Sequence, residues 1–284
     1  MLNRVTVLNT GSTLHTNFGG RGIWRASRLT VVGSLVLLLI CATRSSVAQE
    51  KSEAAKERPK ILMMHPLFVS PGLDSLVIVR GLRMDEITSV QLAGLVPSPE
   101  VTIVKKEKSG PPDRVEASVV GDTLTEVRFT LSADFSGSTV PVTVTSEAGT
   151  SAAFELLVLG QDQIIAEVEP NDSLRKAQSI TAGKLISGQI GQARDVDVYE
   201  FNAETGQTVV AEVMAARHGS PLDAQLTLFD PSGQIVTIAD DAEKNPDPRL
   251  ETTLSGSGPW RLVLLDATDR GNSLNSYLLK LTVR

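Results

Sequence analysis

The chain has 284 residues, one cysteine and a formal net charge of −6 at pH 7, with 41% hydrophobic and 4% aromatic residues. A single cysteine, Cys41, excludes an internal disulfide and any zinc site built from several cysteines. The acidic balance argues against nucleic acid and anionic membrane surfaces as partners, because both bind proteins through clustered Lys and Arg.

The first 48 residues are typical of a secretory signal peptide. Four arginines among the first 28 residues precede an apolar run over residues 29–42, and Ser46-Val47-Ala48 supplies the small residues of a cleavage site. The run is shorter than the about 20 residues that span a bilayer, so we expect no stable membrane insertion after cleavage. We predict cleavage after Ala48 and a secreted, periplasmic or cell-surface location. Retention of the long leader as an anchor is the alternative.

Removing this segment makes the chain more acidic and leaves it without cysteine. The segment holds five basic and no acidic residues, so residues 49–284 carry 22 basic and 33 acidic side chains, a net charge of −11. Such a protein suits cations or neutral polymers as partners. Residues 49–58 are charged and lack large apolar side chains, and we interpret them as a solvated spacer.

Residues 59–160 are interpreted as a first domain, in which short alternating runs are separated by Gly, Pro, Asp and Ser. The runs are rich in Val, Thr and Ile, as half-buried strands are, and their spacing predicts a β-sandwich. The predicted strands are Ser75–Val79, Val101–Lys105, Glu116–Val120, Glu126–Leu131, Val140–Thr145 and Ala153–Leu159.

A polar junction, Gly160–Asp172, leads into a second predicted domain at residues 165–284. The turn Asp230-Pro231-Ser232-Gly233 has proline and glycine at the positions that a β-turn favours. One helix is predicted at Ser173–Ile180, with Asp172 or Ser173 as its N-cap. The fold class is therefore all-β, with two tandem β-sandwiches. The predicted strands are Val198–Asn202, Thr208–Met214, Gln225–Phe229, Gln234–Ala239, Trp260–Leu265 and Tyr277–Val283.

Oxygen-bearing side chains are concentrated where the second domain begins. They fall in two groups, Glu167, Glu169, Asn171 and Asp172, then Asp195 and Asp197. Pro170 favours an extended chain, and alternate side chains of an extended chain share a face. A set of ligands made only of oxygens suits calcium, so the pattern predicts a calcium site. The alternative is a solvated linker whose charges bind no ion.

A second acidic patch, Asp240, Asp241 and Glu243, has no EF-hand spacing. We interpret it as a solvent-exposed loop. A weak second cation site is the alternative.

An ordered set of short motifs runs through residues 165–284. These motifs are Glu-Pro-Asn-Asp at 169–172, Gly188-Gln189-Ile190, Asp195–Phe201, Gly206-Gln207, Leu222–Leu226, Phe229–Gly233, Asp240-Asp241 and Asp247–Leu250. Together they resemble a bacterial pre-peptidase C-terminal (PPC) domain. The resemblance implies a jelly-roll-like sandwich that is usually attached to exported hydrolases and is not itself catalytic.

The PPC resemblance also implies a set of metal ligands. Related collagen-binding modules hold calcium with the acidic entry segment and the Asp-x-Asp turn, which correspond here to Glu167, Glu169, Asn171, Asp172, Asp195 and Asp197. One motif departs from the family, because Gly258-Pro259-Trp260-Arg261 stands where many members have Gly-Thr-Tyr-Tyr. The resemblance therefore does not extend to collagen binding.

The first domain carries a shorter set of motifs. They are Pro59-Lys60-Ile61, His65-Pro66, Pro71-Gly72, Val77–Leu82, Val140–Thr145, Glu147, Gly149 and Phe154. This set is similar to an IPT/TIG-type immunoglobulin-like domain, which implies an immunoglobulin-type sandwich for residues 59–160.

Catalytic patterns are weak in this sequence. His65 precedes Pro66, where a turn or packing role is expected, and His218 stands near Ser220 without a third group to orient it. No Gly-x-Ser-x-Gly elbow or His-Glu-x-x-His pair occurs. Tyr199 and Trp260 are interpreted as core residues, with glycan stacking as the alternative. We expect no enzyme activity.

These observations predict an exported, non-catalytic binding or accessory protein of the cell surface or extracellular space, stabilised by calcium at its domain junction. The expected partner is an extracellular polymer or protein: a matrix protein, a glycan or a secreted hydrolase. Two alternatives stay open. The chain is an accessory or chaperone-like partner of a secreted, peptidase-associated hydrolase, or it is a hydrolase itself.

Overall fold

A computed structural model describes residues 56–242 and 245–284, whose regular secondary structure is almost entirely β-strand, which confirms the all-β fold class. The predicted signal peptide, residues 1–48, and most of the predicted spacer, residues 49–58, lie outside the described residues. The described residues belong to one compact unit. In the described part, no helix has the length and apolarity needed to cross a membrane.

The first sandwich is built from nine strands. They are β1 (Lys60–His65), β2 (Phe68–Val69), β3 (Asp74–Leu82), β4 (Ser89–Leu92), β5 (Thr102–Lys108), β6 (Thr123–Thr130), β7 (Thr139–Ser146), β8 (Gly149–Thr150) and β9 (Phe154–Val158). One sheet has the order β1-β3-β6-β5 and the other β2-β9-β7-β4, with β8 paired to β7. Every second residue of β7 is buried, because one face of each sheet packs on the shared core.

The second sandwich is built from ten strands. They are β10 (Ile164–Ala166), β11 (Gln178–Ser179), β12 (Leu185–Gln189), β13 (Val196–Ala203), β14 (Thr208–Met214), β15 (Ala224–Phe229), β16 (Ile235–Ala239), β17 (Arg249–Thr253), β18 (Gly258–Asp266) and β19 (Ser276–Val283). The sheet orders are β10-β12-β19-β14-β17 and β11-β13-β18-β15-β16. Tyr199 and Trp260 are fully buried in the core between them, which confirms their predicted packing role.

Within residues 56–242 and 245–284, helical structure is confined to short segments, and one of them replaces a predicted strand. Three-residue 3₁₀ turns lie at Met84–Glu86, Gln161–Gln163 and Ala216–His218. The prediction of a strand at Glu116–Val120 was wrong, since α1 (Ala117–Val120) is a single helical turn. It ends at Gly121, whose φ of 78° suits glycine. A run of five residues is too short for its periodicity to separate strand from helix.

The predicted helix at Ser173–Ile180 was also wrong. Residues 173–176 form a turn, closed by a hydrogen bond from Lys176 N to Ser173 O, and β11 then pairs in parallel with Tyr199 and Glu200 of β13. An isolated eight-residue helix has little stability of its own. Pairing with the edge of β13 supplies the backbone hydrogen bonds instead, and Ile180 becomes buried in the core.

The two sandwiches touch through a small apolar cluster and a close backbone approach. Met63, Val115 and Val120 of the first sandwich pack with Leu274 of the second. At Gly219, with φ 86°, a Cβ would lie 2.6 Å from the carbonyl oxygen of Leu62, so only glycine permits this approach.

Candidate metal centre

The predicted ligands are positioned by the first strands of the second sandwich. Glu167 follows β10 directly, and its N–H donates to Ser187 O at 2.9 Å, which continues the pairing with β12. Asp197 lies on β13 two residues before Tyr199, and alternate residues of a strand share a face. The side chains of Asp197 and Tyr199 therefore point to the interior, where they meet Tyr277 of β19.

Three carboxylates of the predicted set come together. One oxygen each of Glu167, Glu169 and Asp197 lies within 4.8 Å of the other two. Calcium binds oxygens at about 2.3–2.6 Å, so two ligands of one ion are at most about 5 Å apart. The three oxygens thus meet the spacing of a single calcium ion.

Asn171 joins this group through its own hydrogen bonds. Its Nδ2 donates to Glu167 Oε1 at 3.0 Å, and its backbone N donates to Glu169 Oε2 at 2.9 Å. The chain passes between them through a cis Glu169–Pro170 peptide. Asn171 therefore holds both glutamates while its Oδ1 stays free for another donor or a cation.

Two oxygens at this centre are buried without a hydrogen-bond partner. They are Asn171 Oδ1 and Asp197 Oδ1, and both residues are 0% exposed. Buried polar atoms nearly always have a partner, and leaving one without costs about 1–3 kcal/mol. A cation bound between the carboxylates would supply the missing partner for both.

The electrostatics of the metal-free centre disfavour a charged Asp197. Its pKa is raised to about 9, first by burial and then by the neighbouring Glu167. Asp195 raises it further, and the Tyr277 hydroxyl acts in the opposite direction. The pKa values of Tyr199 and Tyr277 are raised as well, mainly by burial, so both remain hydrogen-bond donors. A bound cation would reverse the effect on Asp197, since it favours the ionised carboxylate.

The two tyrosines orient the carboxylates from inside the core. Tyr277 Oη donates to Asp197 Oδ2 at 2.5 Å and lies 3.2 Å from Glu167 Oε1, while Tyr199 Oη lies 3.3 Å from the same oxygen. Outer groups of this kind fix the position of metal ligands. Gly188 leaves room for them, because a Cβ there would lie 2.3 Å from Tyr277 Oη and 3.0 Å from Glu167 Oε2.

Two of the six predicted residues lie outside this group. Asp172 is exposed and pairs with Lys176 at 3.1 Å. Asp195 accepts hydrogen bonds from the backbone N–H groups of Gly191, at 2.7 Å, and Val196, at 3.2 Å, and so holds the loop before β13. Its charge acts on Asp197, but its oxygens do not meet those of the glutamates within ligand spacing.

A cleft open to solvent lies beside Glu167. It has a volume of about 270 Å³, and residues of both sandwiches line it, including His65, Glu167 and Ser276. His65 Nδ1 and Ser276 Oγ are hydrogen-bonded at 3.1 Å, a pair that sequence analysis missed because 211 positions separate the two residues. Burial lowers the pKa of His65. The described residues show no third group bonded to the other imidazole nitrogen.

A second acidic group contains part of the predicted patch. Asp240 and Asp241 have ligand oxygens within 4.8 Å of Asp223, whose pKa is raised mainly by burial and next by Asp266. Glu243 lies outside the described residues. Asp240 and Asp241 are exposed, and no buried oxygen without a partner points to an ion here among the described residues.

Comparisons with known proteins give partial matches. No protein-family model matches the chain. A probable subtilase-type serine protease of Deinococcus radiodurans is 38% identical over 77 residues, which are 26% of this chain and 11% of that protein. The chain therefore spans only a small part of this relative's length.

Two solved structures match parts of the chain at low identity. The pre-peptidase C-terminal domain of a collagenase from Bacillus anthracis is 17% identical with a TM-score of 0.32, over 41% of this chain and 100% of that domain. SGBP-B of a mixed-linkage glucan utilization locus in Bacteroides ovatus, solved with a mixed-linkage heptasaccharide, is 9% identical with a TM-score of 0.26, over 81% of this chain and 74% of that one.

Proposed function

We propose that the protein is an exported, non-catalytic binding or accessory module whose second sandwich holds a calcium ion. Its ligands are Glu167, Glu169, Asp197 and the Oδ1 atom of Asn171. The observation that carries this proposal is the pair of buried oxygens without a partner, on Asn171 and Asp197, beside three carboxylates at the spacing of one ion. The resemblance of residues 165–284 to PPC domains supports it independently.

The donor set favours calcium over other common ions. Every donor is a carboxylate or amide oxygen, whereas zinc sites generally include nitrogen or sulfur. Magnesium requires nearly octahedral geometry and usually keeps several waters, while calcium accepts six to eight oxygens in flexible geometry. A group of three carboxylates and one amide, in which Asp197 and Asn171 are buried and Glu169 is exposed, suits calcium with a few waters completing its shell.

The ion would tie the segment that enters the second sandwich to the sheet itself. Glu167, Glu169 and Asn171 belong to the entry segment, and Asp197 belongs to β13. Ion binding to the folded form alone stabilises that form by mass action. Calcium would therefore act as a structural element of an extracellular module rather than as a catalyst.

Calorimetric titration with calcium and, separately, magnesium tests this proposal. We expect calcium to bind the wild-type protein and raise its unfolding temperature, and Asp197→Asn to abolish both effects. The matched control is Asp172→Asn, because Asp172 adjoins the site in sequence but is exposed and paired with Lys176. Equal calcium responses in wild type and Asp197→Asn would exclude the assignment, as would loss of the response in Asp172→Asn alone.

A second candidate is an accessory role beside a secreted hydrolase. The similarity of 77 residues to a probable subtilase-type serine protease favours it, because that protein combines a matching stretch with a protease. Pull-downs with the purified protein on insoluble polysaccharides, matrix proteins and secreted subtilases separate the two. Retention on a polymer supports the binding module, and capture of a protease supports the accessory role.

The remaining alternative is a hydrolase, and the pair His65 and Ser276 provides its specific test. Purified wild type is assayed against peptide, ester and glycan substrates, with Ser276→Ala as the matched variant. If the protein is a non-catalytic module, we expect no turnover by wild type or by Ser276→Ala. Turnover by wild type that Ser276→Ala loses would overturn it.

A further inference from the structure

Strand β16 is an edge strand of one sheet of the second sandwich, and one of its two backbone edges is unpaired. It pairs antiparallel with β15, and on its other side no strand pairs with it in the described part of the chain. In an antiparallel strand, alternate residues direct their N–H and C=O groups away from the first partner. A free edge of this kind is a template for a further strand.

The side chains of β16 are unusually apolar for such an edge. Ile235, Val236 and Ile238 are 57%, 40% and 54% exposed. Ile238 lies opposite Thr227, whose neighbours along β15 point into the core, so it belongs to the outer face of the sheet. A bulge at Val236 places Ile235 opposite Phe229 on the same outer face.

Two other edge strands, β5 and β17, carry charges that oppose strand addition. Edge strand β5 contains Lys105, Lys106 and Lys108 beside its exposed Val104. Edge strand β17 contains Arg249 and Glu251. Charged side chains, lysine above all, are the usual protection of a sheet edge. Strand β16 contains no charged residue, although the protein as a whole is strongly acidic.

We propose that β16 pairs with β16 of a second copy of this chain, antiparallel and about a two-fold axis through Thr237. This register places Val236 of each copy beside Ile238 of the other on the outer face, and Thr237 opposite Thr237. Cross-strand pairs of β-branched residues are among the favourable ones. The two five-stranded sheets thereby join into one sheet across the axis.

Charge in this register also favours a second copy as the occupant. Asp240 of each copy lies opposite Gln234 of the other, and Asp241 lies opposite Gly233, so no two carboxylates face each other. A shift of the axis toward the acidic end would bring Asp240 and Asp241 of the two copies together, which selects the register centred on Thr237. Pairing like charges directly across strands is destabilising.

The extent of the surface predicts a reversible dimer. One pair of five-residue strands with three exposed side chains per copy buries less than the about 1,200 Å² of a stable interface. The dimer should therefore dissociate on dilution. None of its residues belongs to the calcium centre, so dimerisation is expected with and without calcium.

Sedimentation velocity over a wide concentration range tests the dimer, with Ile238→Lys as the disrupting variant. We expect a dimer for wild type and a dissociation constant at least about tenfold higher for the variant. Val104→Lys, the same change on the lysine-bearing edge β5, is the control and should dimerise like wild type. If Ile238→Lys fails to fold by circular dichroism, Val236→Lys replaces it. A monomer at every concentration, or equal dimerisation of wild type and the folded variant, overturns the proposal.

Disulfide trapping tests the register. In a Cys41→Ser background, Thr237→Cys supplies the sole cysteine of the chain. Directly opposed residues of antiparallel strands have Cα atoms about 4.5–5.5 Å apart, within the range that a disulfide bridges. We expect oxidation to link Thr237→Cys into dimers and to leave a Val104→Cys control monomeric. Equal cross-linking of the two variants would refute the register.

Discussion

In the metal-free protein, the pH dependence of the free energy of unfolding reports the pKa of the buried Asp197 carboxyl. Its pKa is raised to about 9, against about 3.9 in an unfolded chain. Between these values the folded protein keeps a proton that the unfolded chain releases. The stability contributed by this proton is complete below about pH 4 and is lost as the pH rises through 9, at up to about 1.4 kcal/mol per pH unit.

Denaturant unfolding in the presence of a chelator, between about pH 5 and 8, is the assay, and Asp197→Asn is the perturbation. Asparagine has nearly the same shape but does not titrate, so the free energy of unfolding of the variant should fall less steeply with pH than that of wild type. The expected difference in slope approaches about 1.4 kcal/mol per pH unit. Calcium should flatten the wild-type curve, because the bound ion keeps Asp197 ionised. Parallel curves for the two proteins without calcium would refute the reasoning.

Further predictions concern the groups around the centre and between the sandwiches. Gly188→Ala should lower the unfolding temperature and weaken calcium binding by calorimetry, because its Cβ would displace Tyr277 Oη and Glu167 Oε2. Tyr277→Phe should cost about 1–3 kcal/mol in chemical unfolding, since it removes the hydroxyl that donates to Asp197. Leu274→Ala, in the cluster between the sandwiches, should cost about 2–5 kcal/mol and leave calcium binding unchanged.

The central strands could be predicted because one of their faces is buried. Strand β14 has the predicted bounds, Thr208–Met214, and β19 begins one residue before the predicted Tyr277. In such strands, alternation along the sequence records the division between core and solvent. This alternation is a local pattern, so such strands can be predicted without knowing which strands they pair with.

Short edge strands could not be predicted in this way. Strands β2, β8 and β11 have two residues each, too few to establish a period. They form because a neighbouring strand offers free backbone groups, as β13 does for Gln178 and Ser179. The sequence of residues 173–180 contains a helix signal, and tertiary pairing outweighs it.

The candidate metal centre shows how far the same alternation argument reaches. Glu167, Glu169 and Asn171 come together around a bend at Glu169 and a cis Glu169–Pro170 peptide rather than along a straight extended strand, while Asp172 pairs with Lys176 in solvent. Asp195 is two residues from Asp197, but β13 begins only at Val196, so Asp195 belongs to a loop and accepts backbone hydrogen bonds instead.

Of the two tyrosines of the centre, one could be placed from the sequence and the other could not. Tyr199 follows Asp197 by two positions within β13, so alternation alone places its side chain on the same face. Tyr277 reaches Asp197 from the opposite sheet, across 80 positions of sequence, and no local pattern could reveal it. The packing of one sheet on the other thus determines which residues face Asp197 across the core. For this reason the effect of Tyr277→Phe tests the packing of the sandwich as directly as it tests the metal centre.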